Sequence, residues 1–342
     1  MFDDKAVEQI LQGTKESGKT YVFDDQHNEN IPSRWWFQKS EEGLILFVIF
    51  YTQACRWSRC LSCNLPSTCA SRHIGYKAII NQIDYIFQHP EIRAQRLQIK
   101  KVIVSNNGSV LDQKTFSSMA LMHLIVQLNL NLSNLAVLCL ETRPEYVEVE
   151  ELEFLARGIA EGDTPTELEL AIGFEVFDER LRNEVLKKGL RLANFEKLVA
   201  QMAPYKYHLK CYVMQKPVPG MSDEEAVEDV RQALDYFGQV SRRCGNGEVK
   251  INVHLNPTYV AHGTPVAAAF AEGKYEPPKL RDVARAIMFG RNQALSIFVG
   301  LDDEGLAVPG GSFIRPGDEP LITALQEFNQ MQDYERLQKA IA

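Results

Sequence analysis

Cys55, Cys60 and Cys63 put three thiols within nine residues, spaced C-x4-C-x2-C. They follow the run Leu44-Ile45-Leu46-Phe47-Val48-Ile49-Phe50-Tyr51, which is short, β-branched and aromatic, and apolar on both faces. Such a run reads as a strand buried on both sides, as in a parallel sheet. The thiols then sit on the loop leaving the strand's C-terminal end, which in α/β barrels is the end that carries chemistry. Soft thiolates suit zinc or an iron–sulfur cluster. A structural zinc site would take Cys69 as its fourth ligand, whereas a zinc ribbon would need a second C-x2-C, which the sequence lacks. A cluster with three protein ligands would leave one iron open to a small molecule. Chance clustering is the remaining reading.

An open iron calls for a chelating ligand with hard donors, such as the amine and carboxylate of an amino acid. Its pocket has to satisfy an ammonium, a carboxylate and a sugar, and charge-assisted hydrogen bonds fix such a ligand's pose. Polar residues after successive strands are candidates: 106–109, 141–145, Glu175, Lys210, and Asn252 with His254 and Asn256. Strand periodicity puts Asn252, His254 and Asn256 on one face. Each also has a structural reading. Asn107-Gly108 is a good turn, Glu141 and Arg143 could pair, and His254 could be a hydrogen-bonded core histidine.

The elements that must position these groups alternate between strand and helix. Strands are expected over 44–51, 101–105, 135–140, 167–172, 207–214, 249–255 and 295–299. Helices are expected over 76–87, 116–128, 149–156, 195–202, 280–288 and 321–341, with a short one over 7–11. Asp178 can open a further helix that Gly189 ends. Ser222-Asp223-Glu224-Glu225 is a capping box for a helix reaching Phe237. Strict alternation means a parallel sheet with right-handed crossovers. Six principal units are too few for an eight-fold barrel, so the expected fold is α/β, a partial (β/α)6-type parallel barrel. Residues 1–40 read as an N-terminal extension in which Trp35-Trp36-Phe37 is an anchoring aromatic knot. Residues 41–300 read as the barrel, and 301–342 as a closing loop and helix.

Bulk composition narrows the classes. The chain has 342 residues, 45% hydrophobic and 24% charged, as expected of a soluble globular protein. No apolar run is long enough to span a bilayer. The start, Met1-Phe2-Asp3-Asp4-Lys5, lacks a signal peptide's features. Seven cysteines, an odd count, point to reduced thiols and a cytoplasmic location. A net charge of −8 argues against a general nucleic-acid binder.

Taken together, these residues resemble the radical S-adenosylmethionine (SAM) superfamily. Within it they are similar to the branch of the Elongator catalytic subunit, and most to radical subunits of the archaeosine synthase kind. The resemblance is carried by Cys55-x-Trp57…Cys60-x-x-Cys63, Asn107-Gly108-Ser109-Val110-Leu111-Asp112 and Glu141-Thr142-Arg143-Pro144-Glu145-Tyr146-Val147. It continues through Ala171-Ile172-Gly173-Phe174-Glu175, Lys187-Lys188-Gly189, Lys216-Pro217, Leu255-Asn256-Pro257-Thr258 and Gly263-Thr264. The first gap is one residue longer than the superfamily's common C-x3-C-x2-C, and Ser62 stands where an aromatic often precedes the third Cys.

The resemblance implies that Cys55, Cys60 and Cys63 ligate a [4Fe–4S] cluster. Asn107, Gly108 and Ser109 would hold the methionine amine of SAM, with Glu141 at the methionine or ribose end. Glu175 would bind ribose, Lys187 the carboxylate, and Lys210 is a further cofactor candidate. Arg143, Asn252, His254 and Asn256 would face the substrate. The implied activity is hydrogen abstraction by a 5′-deoxyadenosyl radical, on a modified nucleobase such as a deazaguanine–lysine adduct of tRNA or its precursor. A flavodoxin- or ferredoxin-type electron donor and a tRNA-gripping partner protein are implied as well. Methyl or methylthio transfer, and a non-catalytic zinc-bearing RNA-binding module, are the alternatives.

Overall fold

The computed structural model describes residues 4–341. Met1, Phe2 and Asp3 of the acidic start, and Ala342 at the end of the closing segment, lie outside them. Eight strands occur among the described residues: β1 Arg34–Ser40, β2 Gly43–Ile49, β3 Ile99–Ser105, β4 Val137–Thr142, β5 Glu167–Glu175, β6 His208–Gln215, β7 Ile251–Pro257 and β8 Ser296–Val299. The helices are α1 Asp4–Glu16, α2 Tyr76–Gln88, α3 Pro90–Gln95, α4 Ser118–Asn131, α5 Val149–Ile159, α6 Leu192–Met202, α7 Asp223–Arg243, α8 Pro265–Ala271, α9 Leu280–Ile287, α10 Glu319–Met331 and α11 Tyr334–Ile341. Strand order in the sheet follows chain order, β1 to β8. The pairs β2–β3, β3–β4, β6–β7 and β7–β8 are parallel, and β1–β2 is antiparallel. This is the α/β class expected from the alternation.

The chain divides into two compact units. Among the described residues, the first comprises 4–14, 22–58 and 65–171; the second comprises 15–21, 59–64 and 172–341. In the first, Leu46, Val48, Val102, Val104, Leu138 and Leu140 are buried, and so are Ile45, Phe47, Ile49 and Ile103 of the alternate positions. Burial of both faces is what the apolar run of β2 requires. The aromatic knot is a strand: Trp36 stacks on Phe47 of β2 with ring centroids 4.3 Å apart. Lys101 on β3 is fully buried and is held between Glu42 and Glu169, each 2.7 Å away.

In the second unit Leu209, Cys211, Val213, Val253, Leu255 and Val299 form a buried face. Helices α7 and α10 lie along these strands. The α7 capping box forms as expected: the Ser222 hydroxyl accepts from Glu225 N at 3.1 Å, and Ser222 N donates to the Glu225 carboxylate at 2.8 Å. The edge of β8 is closed by amides. Asn329 bonds both N and O of Val299, and Gln332 bonds both N and O of Ile297. An edge strand satisfied in this way offers no ladder to another chain. Two expectations differ from the outcome. The single closing helix is two, broken where Gln332 takes a left-handed φ of 51°. The helix expected after Asp178 is short, running over 179–185 with Leu181–Val185 of π type, and Asp178 caps it by accepting from Leu181 N at 2.7 Å.

Candidate functional site

In the first unit the chain leaves β2 and is tied to residues 69–70. Ala54 N donates to Ala70 O at 2.8 Å, and Ala70 N donates to Thr52 O at 3.0 Å. Cys55 follows, half-buried, with the loop after β3 packed against it. A Cβ on Gly108 would meet Cys55 Cα at 3.3 Å and its Cβ at 3.5 Å. Asn107 is left-handed, φ 53°, and its amide donates to the Thr68 hydroxyl at 2.9 Å. Ser109 accepts from Arg143 N at 3.2 Å, and Val110 N donates to Glu141 O at 2.8 Å, so the loops after β3 and β4 are laced together. Cys69, the conceivable fourth zinc ligand, is instead fully buried. Its sulfur lies 3.8 Å from the carbonyl oxygens of both Leu65 and Asn106.

Two arginines brace this loop. Arg56 pairs with Asp112 at 2.5 Å, reaches the Tyr146 hydroxyl at 3.3 Å, and lies over the Tyr146 ring. Burial works against its charge, but the bond and charge of Asp112 outweigh that and hold the guanidinium above its ordinary pKa. Burial, aided by the Asp112 charge, raises the Tyr146 phenol. Arg143 lies 4.5 Å over the Trp57 ring and pairs with Glu145. Glu145, two residues on, is a carboxylate partner of Arg143 that the sequence reading did not single out.

In the second unit Cys60 and Cys63 are half-buried, and Cys63 N donates to Cys60 O at 3.2 Å. Leu61 N donates to Leu186 O at 2.9 Å, and the Leu61 side chain packs against buried Leu186 and Val218. Asn64 donates to Leu306 O at 3.2 Å and His262 O at 3.4 Å. The stretch carrying the two thiols is thus anchored at Leu61 and Asn64.

Glu175 ends β5 with a left-handed φ of 73° and accepts from Lys188 Nζ at 2.7 Å. Gly173 makes room for this pair, since a Cβ there would sit 2.3 Å from Lys188 Nζ. Lys187, the expected carboxylate ligand, is exposed with φ 58°, and Lys188 pairs with Glu175. The Lys187-Lys188 doublet was visible in the sequence, but only the left-handed turn decides which lysine faces Glu175. Fully buried Arg182 holds this segment. It donates to Leu190 O and Val176 O at 2.7 Å and to Phe177 O at 3.1 Å, and lies 4.7 Å over Phe174.

Register puts Asn252, His254 and Asn256 on one face of β7 and pairs them with Lys210, Tyr212 and Met214 on β6. Ser296 donates to Asn252 Oδ1 at 2.9 Å. The His254 ring lies 5.0 Å from Tyr212 and 4.8 Å from Phe298. Sequence reasoning missed Tyr212, Phe298 and Gly300. The first two could have been found by extending the period-2 rule to the neighbouring strands.

None of the seven cysteines is in a disulfide. Among the described residues no three His, Cys, Asp or Glu side chains are gathered to hold a metal ion. A four-iron cluster spaces its thiolates more widely than one ion, around which sulfurs sit about 3.8 Å apart at a Zn–S distance of about 2.3 Å. Among the described residues no helix is long and apolar enough to cross a membrane.

No family model matches the chain. It is 26% identical over 238 residues to archaeosine synthase subunit beta of Methanosarcina acetivorans, covering 69% of this chain and 63% of that protein. It is 21% identical over 297 residues to the protein of the same name from Thermococcus kodakarensis, covering 85% and 86%. An uncharacterized Methanocaldococcus jannaschii protein matches at 21% over 293 residues, 83% of this chain and 76% of that one. Similar solved structures include an N-terminally deleted Elp3 from Methanocaldococcus infernus, at 15% identity, 66% and 53% coverage and a TM-score of 0.46. Another is a queuine lyase from Clostridium spiroforme bound to SAM and queuine, at 14%, 78% and 95%, with a TM-score of 0.48.

In sequence the chain is similar to beta subunits of archaeosine synthase, and its fold is α/β, with eight strands in one sheet among the described residues.

Proposed function

We propose that the chain cleaves SAM reductively and abstracts hydrogen from a modified nucleobase, a deazaguanine carrying lysine, in tRNA or as its precursor. Cys55, Cys60 and Cys63 would ligate a [4Fe–4S] cluster. The observation that carries this is the thiol loop itself: three half-buried thiols outside any disulfide, with the bare α-carbon of Gly108 set against Cys55. When bound, the cluster supplies the electron that cleaves the sulfonium and yields the 5′-deoxyadenosyl radical.

The chain's own residues bind and orient. Asn107, Gly108, Ser109 and Glu141 hold the methionine end of SAM. Glu175 takes the ribose hydroxyls, oriented by Lys188, and Lys187 or Lys188 the carboxylate. Arg56 and Arg143, each stacked on an aromatic ring, keep the first part of the thiol loop rigid. Arg143 also stands on the substrate side. The names of the curated relatives support a tRNA substrate and a partner subunit, and a flavodoxin- or ferredoxin-type protein would deliver the electron.

The test is anaerobic reconstitution, counting iron and sulfide, then reduction with SAM and either adduct-bearing tRNA or the free adduct. Expected are about four irons per chain, 5′-deoxyadenosine, and mass loss from one of the two substrates. Cys55→Ala, Cys60→Ala and Cys63→Ala each lose the cluster, whereas Cys69→Ala keeps it. One tightly bound zinc without deoxyadenosine would overturn the reading.

A further inference from the structure

One face of β6, β7 and β8 is not built like a core. Parallel strands are ordinarily covered on both sides and carry apolar runs, and the helix-covered face here does so. The opposite face carries Lys210, Asn252 and Ser296 in one row, and Tyr212, His254 and Phe298 in the next. Lys210 is 3% exposed, and among the described residues no hydrogen bond or ion pair reaches its side chain. The residue is largely buried, yet its Nζ is not among the fully buried unpartnered polar atoms, so the ammonium meets open space in which an incoming anion can pair with it. In the next row Tyr212 and Phe298 are half-buried, which leaves ring surface for a flat ligand. Beyond them the backbone closes in at Gly300, where a Cβ would meet Asn256 Oδ1 at 2.4 Å and His254 Nε2 at 3.1 Å. Only glycine lets the Asn256 amide and the imidazole edge occupy that position.

We propose that this face binds a flat aromatic ring bearing a carboxylate arm. The ring lies on the row of Tyr212, His254 and Phe298, Asn256 hydrogen-bonds its edge, and Lys210 pairs with the carboxylate. The ligand's identity rests on the reading above, because a deazaguanine–lysine adduct has both parts. Lys210 is thereby a substrate residue and not a cofactor residue. The methionine end of SAM also offers a carboxylate, so the experiment separates the two sources.

Binding to the anaerobic holoenzyme is measured by equilibrium dialysis for three probes. They are the free-base lysine adduct, its counterpart made with pentane-1,5-diamine, which lacks only the carboxylate, and SAM. Lys210→Met should weaken the lysine adduct about tenfold or more, in keeping with a charged hydrogen bond. The diamine adduct and SAM should bind wild type and variant alike, and Lys210→Arg should recover part of the loss. Gly300→Ala should weaken both adducts equally by displacing Asn256. Equal loss of both adducts in Lys210→Met, a loss confined to SAM, or no adduct binding by wild type would each overturn the proposal. Binding is read without turnover, so a holoenzyme that makes no deoxyadenosine yet distinguishes the carboxylate sinks the radical reading alone.

Discussion

Replacing Gly173 with alanine should break the Glu175–Lys188 pair without disturbing the strand beneath it. The new Cβ would lie 2.3 Å from Lys188 Nζ and 2.4 Å from Glu175 Oε1, where ordinary contact begins at 3.4 Å. Both groups must retreat by about 1 Å, and their 2.7 Å hydrogen bond cannot survive with a methyl group between them. Both are the far ends of flexible side chains, so the backbone need not move. The side chains are 14% and 18% exposed, which limits screening. A hydrogen bond between charged groups contributes about 1.5–3 kcal/mol. Against this, alanine restricts the unfolded chain more than glycine does, worth about 0.4–1 kcal/mol. The net expectation is a loss of about 1–2 kcal/mol. Urea unfolding of wild type, Gly173→Ala, Lys188→Met and the double variant measures it. In the Lys188→Met background the alanine should be neutral or slightly stabilising, because the pair is already gone. An equal cost in both backgrounds would refute the steric argument.

Arg182→Lys should destabilise by about 3 kcal/mol, because an ammonium cannot serve three carbonyls as a planar fork does; hydrogen exchange over 176–190 should speed up, and unchanged protection would count against it. Lys101→Met should cost about 3–5 kcal/mol, leaving buried Glu169 and half-buried Glu42 without their cation, and adding Glu169→Leu should recover much of that; urea midpoints decide. Burial alone would raise the Asp223 carboxyl, but the hydrogen bond and charge of Lys216 dominate and hold it below its ordinary 3.8. A depressed carboxylate contributes stability that is present above its unfolded pKa and lost as pH falls through the folded one. The gap between wild type and Asp223→Asn in urea should therefore be full at pH 7 and shrink only on strong acidification; a gap independent of pH would contradict the assignment.

The strands from β2 to β8 were legible because each is a short run rich in buried apolar residues between polar loops. β1 was not, because Arg34–Ser40 is half-buried nearly throughout and shows no clean alternation. Its partner is fixed only by pairing with β2, a tertiary fact. The closing helices read as one because Gln332 is neither Gly nor Pro, and its break is set by its amide bonding Ile297. The three thiols and the loops after β3, β4 and β5 stood out by residue type. What hid was one-residue geometry: that Lys188 pairs with Glu175, and Glu145 with Arg143. Such choices depend on φ at a turn, which composition does not encode. Tyr212 and Phe298 hid for another reason, since ordinary aromatics in strands read as core until register sets them beside His254.

The anchoring of Leu61 and Asn64 bears on how the proposed cluster would be received. Small zinc domains are unfolded until the ion arrives. Here a leucine seated in a greasy cleft and an amide clasping two carbonyls already shape the segment that carries Cys60 and Cys63. On the reading proposed above, those two contacts would hold the backbone that presents Cys60 and Cys63 to a cluster.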